Sequence, residues 1–198
     1  MTRVVHPIEA ESYEILRSRV DTSTFPTLTR AVIERVIHST ADVSLVDDIV
    51  CDEITLTMAA EALRGGARIV ADVAMVAAGI TSRPVVSLVA SPEAARLAAS
   101  AGITRSAAAV RLALAQVGPG AVWAIGCAPT ALIELIALAD AAAPMLVVGV
   151  PVGFVGAVES KEALRDSGLP SVSNRSEKGG SPMAAAVVNA LLYAEESS

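Results

Sequence analysis

Two histidines, His6 and His38, are the side chains of this 198-residue chain whose ordinary pKa lies near neutrality. His6 stands beside Pro7 near the start and is expected to face solvent. His38 is placed differently. It closes the helix expected over Thr27–His38, with Arg35 three residues earlier on the same face. A helix C-terminus favours the imidazolium, and Glu34 at i−4 is expected to add to that. Such an imidazole is either a helix cap or a proton donor, and the local sequence leaves both open.

The second chemical theme is cationic. Thirteen arginines stand against two lysines, and the planar guanidinium fork suits carboxylates. Arg17, Arg35, Arg111 and Arg175 each read alone as a surface ion pair of small value. Arg83 in Thr81-Ser82-Arg83 and Arg105 in Thr104-Arg105-Ser106 lie among hydroxyls at a loop or helix start, where both could grip carboxylates. Three small-residue loops lead into helices: Gly126-Cys127-Ala128-Pro129-Thr130, Gly149 to Gly156, and Lys178-Gly179-Gly180-Ser181-Pro182. Helix starts present unpaired N–H groups to anions. In the last loop Ser181 suits an N-cap and Pro182 the first helical position. The same glycines and prolines also suit plain tight turns.

Other chemistries lack their residues. No Gly-x-Gly-x-x-Gly follows a strand, and no Walker loop or Gly-x-Ser-x-Gly elbow occurs. Cys51 and Cys127 have neither disulfide-framework nor metal spacing, which points to a reducing compartment. The net charge of −6, with no basic tract, argues against a nucleic-acid partner. The uncharged runs Leu112–Ile133 and Ala141–Val158 are broken by glycine and proline, so no membrane span is expected. The start of the chain lacks the basic-then-apolar pattern of a signal peptide. A cytoplasmic protein is expected.

These groups need a scaffold. Hydrophobic residues make up 53%, aromatics only 3%, and Ala contributes 38 residues, so the core is aliphatic and its helices pack closely. Helices are expected over Ile8–Val20, Thr27–His38, Thr55–Leu63, Met75–Ala78, Pro92–Ala101, Thr104–Val117, Thr130–Ala139, Ala157–Arg165 and Pro182–Tyr193. Strands are expected over Arg68–Ala71, Val85–Ala90, Ala121–Gly126, Met145–Val150 and Ser171–Ser173, with a further short one within Asp47–Cys51. Continuous apolar strands alternating with helices give a parallel sheet covered on both faces. The fold class is therefore α/β: one three-layer α/β/α domain over residues 1–198, doubly wound, with about five strands. The first two helices precede that core and are expected on its edge or on a partner.

Six stretches carry a resemblance: Arg35–His38, Met75–Thr81, Thr104–Ala108, Ala128–Leu132, Pro151–Lys161 and Gly179–Ser181. In order and spacing they resemble the precorrin-8X methylmutase family of corrin ring synthesis, over about residues 8 to 192. The Pro151–Lys161 run is the most specific. The resemblance implies a flavodoxin-like fold, a homodimer, and no metal or organic cofactor. It implies an isomerase that moves a methyl group from C-11 to C-12 of a heptacarboxylate tetrapyrrole, a 1,5-sigmatropic shift. The family's catalytic histidine falls on His38, as the acid that protonates the ring C nitrogen. Its substrate-contacting serine falls on Ser12, with Arg17 one turn on; Arg35 and Arg105 also match. The loops add Thr130, Gly153, Lys178, Gly180 and Ser181 as expected substrate contacts, and Arg83 is expected among the contacts too. Two positions depart from the family pattern: Cys127 stands in place of Asn, and Lys178 in place of the Arg before Gly-Gly-Ser. Other readings stand beside the metal-free enzyme: the same reaction on the cobalt-bound ring, a non-catalytic corrinoid carrier, and, from the fold alone, a flavin or nucleotide binder. The missing fingerprint weighs against the last.

Overall fold

The computed structural model describes residues 6–194. Five strands are parallel: β2 (Ile69–Ala71), β3 (Val85–Val86), β4 (Val122–Ile125), β5 (Leu146–Gly149) and β6 (Ser171–Asn174). A sixth, β1 (Ile49–Val50), lies antiparallel on β6, pairing Ile49 with Asn174. The order is β1-β6-β5-β4-β2-β3. The sheet is thus mixed, with one strand more than the five of the parallel core, and the parallel part has the doubly wound order of flavodoxin-like folds. The order in which strands are added reverses between β2 and β4.

Side-chain alternation divides the core. Ile69, Ala71, Val122, Ala124, Leu146, Val148 and Val172 face α2 (Thr27–Thr40), α3 (Glu53–Arg64), α4 (Ala74–Gly79) and α10 (Ser181–Ala194). Val70, Trp123, Ile125 and Val147 face α6 (Arg105–Val117), α7 (Pro129–Ala137) and α9 (Ala157–Asp166). Small side chains allow that closeness. Gly149 is an example: a Cβ there would lie 2.4 Å from Leu164 Cδ2.

Several expected boundaries move for local reasons. β3 is two residues long, pairing Val85 with Ile69 and Val86 with Val70. The helix expected over Thr130–Ala139 breaks at Leu138, and a separate turn, α8 (Ala139–Ala142), follows. α5 (Pro92–Ala101) is as expected, with Ser91 capping it. A 3-10 turn over Val43–Val46, capped by Asp42, leads into β1. Among the described residues no helix is long and apolar enough to cross a membrane.

The two leading helices do not sit on a sheet edge. α2 buries Val32, Ile33, Val36 and Ile37 and packs chiefly along α10. α1 (Pro7–Arg19) lies on α2 and fully buries only Leu16. What holds α1 is polar. Arg17 donates to both Glu34 oxygens, from Nε at 3.1 Å and Nη2 at 2.7 Å. Glu34, 5% exposed, also accepts from Thr22 Oγ1 at 2.5 Å and Arg30 Nε at 2.8 Å. The expected role of Glu34 beside His38 is therefore corrected: these three donors engage its carboxylate. Arg17 likewise is engaged within the chain rather than held out toward a ligand.

Burial alone would raise the Glu34 pKa, but the hydrogen bonds from Arg17, Thr22 and Arg30 prevail and hold it at about 2, below its ordinary 4.5. A depressed carboxyl pKa stabilises the fold fully above the unfolded value and ceases to do so as pH falls toward the folded value. Glu34→Gln should therefore lower stability at pH 7 by about 2 kcal/mol, a figure reduced for water screening of the two arginines. Urea unfolding at falling pH should show the parent and variant converging between pH about 4.5 and about 2. A constant difference across that window would show that Glu34 does not titrate with folding.

Candidate functional site

The carboxyl ends of β4, β5 and β6 carry the three small-residue loops, and the structure brings them together. Gly153 N–H donates to Glu177 O at 3.1 Å, and Gly180 N–H to Val150 O at 3.0 Å. Gly179 makes this approach possible: a Cβ there would lie 2.2 Å from Val150 O, and its φ is +159°. Ser181 Oγ lies 3.0 Å from Cys127 Sγ, joining the third loop to the first. Ser181 is the buried first residue of α10, one position inside the cap expected of it. The N–H groups of Gly153 and Gly180 thus tie loop to loop.

The first loop holds an anion of the chain's own. Asp72, buried at the end of β2, accepts from the N–H groups of Gly126 at 3.1 Å, Cys127 at 2.8 Å and Ala128 at 2.9 Å. This is the point where the strand order reverses, the usual ligand position in such sheets. Burial raises the Asp72 pKa against the pull of those N–H bonds. The expectation that this loop's first N–H groups meet a substrate anion is corrected. The sequence signal was present, a carboxylate one residue beyond a parallel strand, but its partners are more than fifty residues away.

A buried cation fixes the third loop. Lys161 Nζ donates to Asn174 Oδ1 at 3.0 Å, to Lys178 O at 2.9 Å and to Ser176 O. Burial pushes its pKa down to about 8, with nearby Asp48 opposing the fall, and the ammonium persists at neutral pH. Asp48 supports the same loop, accepting from Asn174 Nδ2 and from the Arg175 and Ser176 N–H groups. Lys178 is turned to the His38 side: its Nζ lies 2.7 Å from Asp42 Oδ2 and 2.7 Å from Ser44 Oγ. The expected carboxylate partner of Lys178 is thus supplied from within, by Asp42.

His38 stands exposed in the last turn of α2, which ends at Ala41 in the left-handed region. Its Nδ1 is 2.9 Å from Ser12 Oγ. The Tyr13 ring stacks on the imidazole, centroids 5.0 Å apart and planes 11° from parallel. A hollow of about 100 Å³ beside it is lined by Ser12, Arg19, His38, Ala41 and Val43, among others. Arg35 does not join His38 through an ion pair. Its guanidinium sits 4.4 Å over the Tyr193 ring, and Nη1 lies 3.5 Å from Glu9 Oε1. Sequence reading singled out Ser12 but passed over Tyr13, whose signal was only its adjacency.

The larger hollow, about 560 Å³, lies where α6, α7 and α9 begin. Thr104, Thr130, Ile133, Val155, Gly156 and Glu159 are among its walls, and Thr104 Oγ1 is 2.8 Å from Thr130 Oγ1. The start of α9 has no side-chain cap, since Gly156 stands there. Phe154 and Val155 at the rim are 94% and 88% exposed. Arg105 and Arg83 are exposed, and neither has an ion pair among the described residues. Arg105 opens α6 beside this hollow, but the expected place of Arg83 is corrected: it stands just before β3, at the amino edge of the parallel sheet and away from the carboxyl-edge loops. No group of three or more His, Cys, Asp or Glu among the described residues is arranged to hold a metal ion.

Comparison with known proteins places this geometry. The family model for Precorrin-8X methylmutase matches residues 7–194. Cobalt-precorrin-8 methylmutase of Salmonella typhimurium is 41% identical over 198 residues, covering 94% of this chain and 93% of that protein. Precorrin-8X methylmutase of a Sinorhizobium species is 38% identical, covering 93% and 92%. The crystal structure of the precorrin-8X methyl mutase from Thermus thermophilus superposes with a TM-score of 0.87 at 34% identity, covering 96% of each chain. With the fold, the carboxyl-edge loops and His38 in one arrangement, this chain belongs to the precorrin-8X methylmutase family.

Proposed function

We propose that this chain, as a single domain, is an isomerase of cobalamin biosynthesis that moves the methyl group of precorrin-8X from C-11 to C-12, giving hydrogenobyrinate. The observation that carries the reading is the setting of His38. Its Nδ1 is bonded to Ser12, so Nε2 is the ring atom left to exchange a proton with a ligand. The Ser12 hydroxyl can donate to Nδ1 or accept from it, and so stays bonded in both protonation states. Protonating the ring C nitrogen draws electrons from the migrating centre. The bond from methyl to C-11 breaks as the bond to C-12 forms, and the proton returns to the imidazole. No redox partner enters the balance. The heptacarboxylate ring finds a cation at Arg105 and uncapped N–H groups at the start of α9. Arg17, Arg35 and Lys178 serve as the supports of the helices and loop that shape the site.

General acid catalysis is worth about 10²- to 10⁴-fold. His38→Ala should bind the ring with nearly parental affinity and lose turnover by about that factor, followed by the visible spectrum of the tetrapyrrole. Turnover within about threefold of the parent, far short of that loss, would place the proton donor elsewhere. Binding without turnover in the parent itself would identify a carrier. Relatives named for cobalt-precorrin-8, at up to 41% identity, favour a second reading in which the ring already holds cobalt. Cobalt would occupy the nitrogen lone pairs, so protonation by His38 at a ring nitrogen fits the metal-free ring. Assaying both rings separates the two.

The same reading includes a homodimer acting in the cytoplasm. A hollow of about 560 Å³ suits a drug-sized ligand, and a tetrapyrrole with seven carboxylate arms is larger. Exposed Ile8, Ile54, Met58 and Met75 leave apolar surface for a second copy. Light scattering at micromolar concentration should give twice the chain mass; a monomer would contradict the dimer.

A further inference from the structure

We infer that Tyr13 is a positioning residue for His38, and that it acts as one rung of a zipper between α1 and α2 whose other rung is the Arg17–Glu34 pair. The inference rests on the proposed function for what His38 does, though the geometry is independent of it. His38 is exposed at a helix end, and one hydrogen bond from Ser12 anchors one atom of its ring. A single anchor leaves the plane of the imidazole undetermined. The Tyr13 ring, 5.0 Å away and 11° from parallel, supplies the plane. Ser12 and Tyr13 together therefore fix where Nε2 points.

The spacing shows why the two rungs belong together. Tyr13 and Arg17 are one turn apart on α1, and they meet His38 and Glu34, one turn apart on α2. The helices run in opposite directions, so a single rotational setting of α1 satisfies both rungs. Few other contacts set that angle: Leu16 is the one fully buried side chain of α1, Tyr13 packs partly buried on the core, Glu9 reaches Arg35 at 3.5 Å, and Ile8 and Ile15 stay exposed. The Arg17 guanidinium carbon also lies 5.7 Å from the Tyr13 centroid, which ties the rungs at the level of side chains. A displacement of about 1 Å in a catalytic group can cost about 10²-fold in rate, so orientation of this kind is worth what a direct contact is worth.

The test uses the full chain, whose two histidines make His6 an internal reference for His38. In proton NMR of the free protein, Tyr13→Leu should remove the ring-current displacement of the His38 ring protons and leave those of His6 in place. In turnover of the metal-free ring the same variant should lose about 10- to 100-fold in kcat, with KM within about twofold, and Tyr13→Phe should recover both the shift and the rate. A parental kcat in Tyr13→Leu overturns the inference. Arg17→Gln keeps Tyr13 but removes the other rung, and should move the His38 signals in the same direction even should Tyr13→Leu fail to fold. Unmoved signals in Arg17→Gln overturn the zipper. A parent that does not turn over refutes the proposed function instead, and the NMR shifts then decide the inference alone.

Discussion

The ammonium of Lys161 is fully enclosed, and the carboxyl edge of the sheet is built around it. Removing an ion from water costs several kcal/mol even after relaxation, unless its hydrogen bonds are replaced. Here three donors meet three oxygens, from Asn174, Ser176 and Lys178. Those oxygens belong to one short segment, so satisfying the cation folds the segment into a fixed arc. Other features follow from that arc. Gly179 can then reach the β5 backbone, Gly180 can bond Val150, and Ser181 starts α10 against Cys127. The Lys178 side chain leaves the arc toward Asp42, just beyond the helix that ends after His38. The buried cation and the exposed imidazole are thus joined through ordered contacts.

Carboxylates of the chain occupy places that a polyanionic ligand would seek. Asp72 takes three N–H groups at the strand-order reversal, Glu34 takes Arg17 and Arg30, and Asp42 takes Lys178. This internal pairing has a selective consequence. A ligand carboxylate reaching these donors would have to displace a partner already desolvated and in place, whereas Arg105 and the start of α9 need no such exchange. On an acidic chain the position of each unpaired cation relative to a carboxylate arm matters more than their total charge. Recognition then depends on geometry, which suits a rigid macrocycle.

The sequence was most informative where a structure depends on near neighbours. The apolar run Met145–Val150 read as a buried parallel strand, and the loop glycines were legible as turns or close approaches; Gly126, Gly149 and Gly179 mark close approaches, while Gly153 faces open space. Arg17 shows the opposite case. Its composition and position allowed a substrate clamp, and its real partner, Glu34, lies across a helix pair whose phase no local pattern reveals. Lys178 and Asp42 are separated by 136 residues, and Asp72 from Cys127 by 55. In each case a charged side chain had a plausible external partner and a nearer internal one. The misplacement of the first two helices has the same origin. Their apolar faces were legible, but that α2 covers α10 rather than a sheet edge follows from how many apolar residues α10 buries, eight of its alanines and valines and leucines among them on more than one side.

The chemistry we propose for His38 is compatible with its exposure. A sigmatropic shift creates no leaving group and consumes no nucleophile, so the protein need supply only one proton at one nitrogen. An acid for that task gains little from deep burial, which would disfavour its charged form. It gains a great deal from direction, because the ring offers four nitrogens and the proton must reach one. Exposure and orientation usually conflict, since a mobile side chain at a surface samples many rotamers. α1 resolves the conflict by covering one face and one edge of the imidazole with Tyr13 and Ser12 while leaving Nε2 open. That arrangement requires α1 to be held without a large apolar interface, and the Arg17–Glu34 pair, shielded on the Glu34 side, provides the hold. A helix that precedes the sheet core is therefore part of the setting of His38, the proton donor we propose.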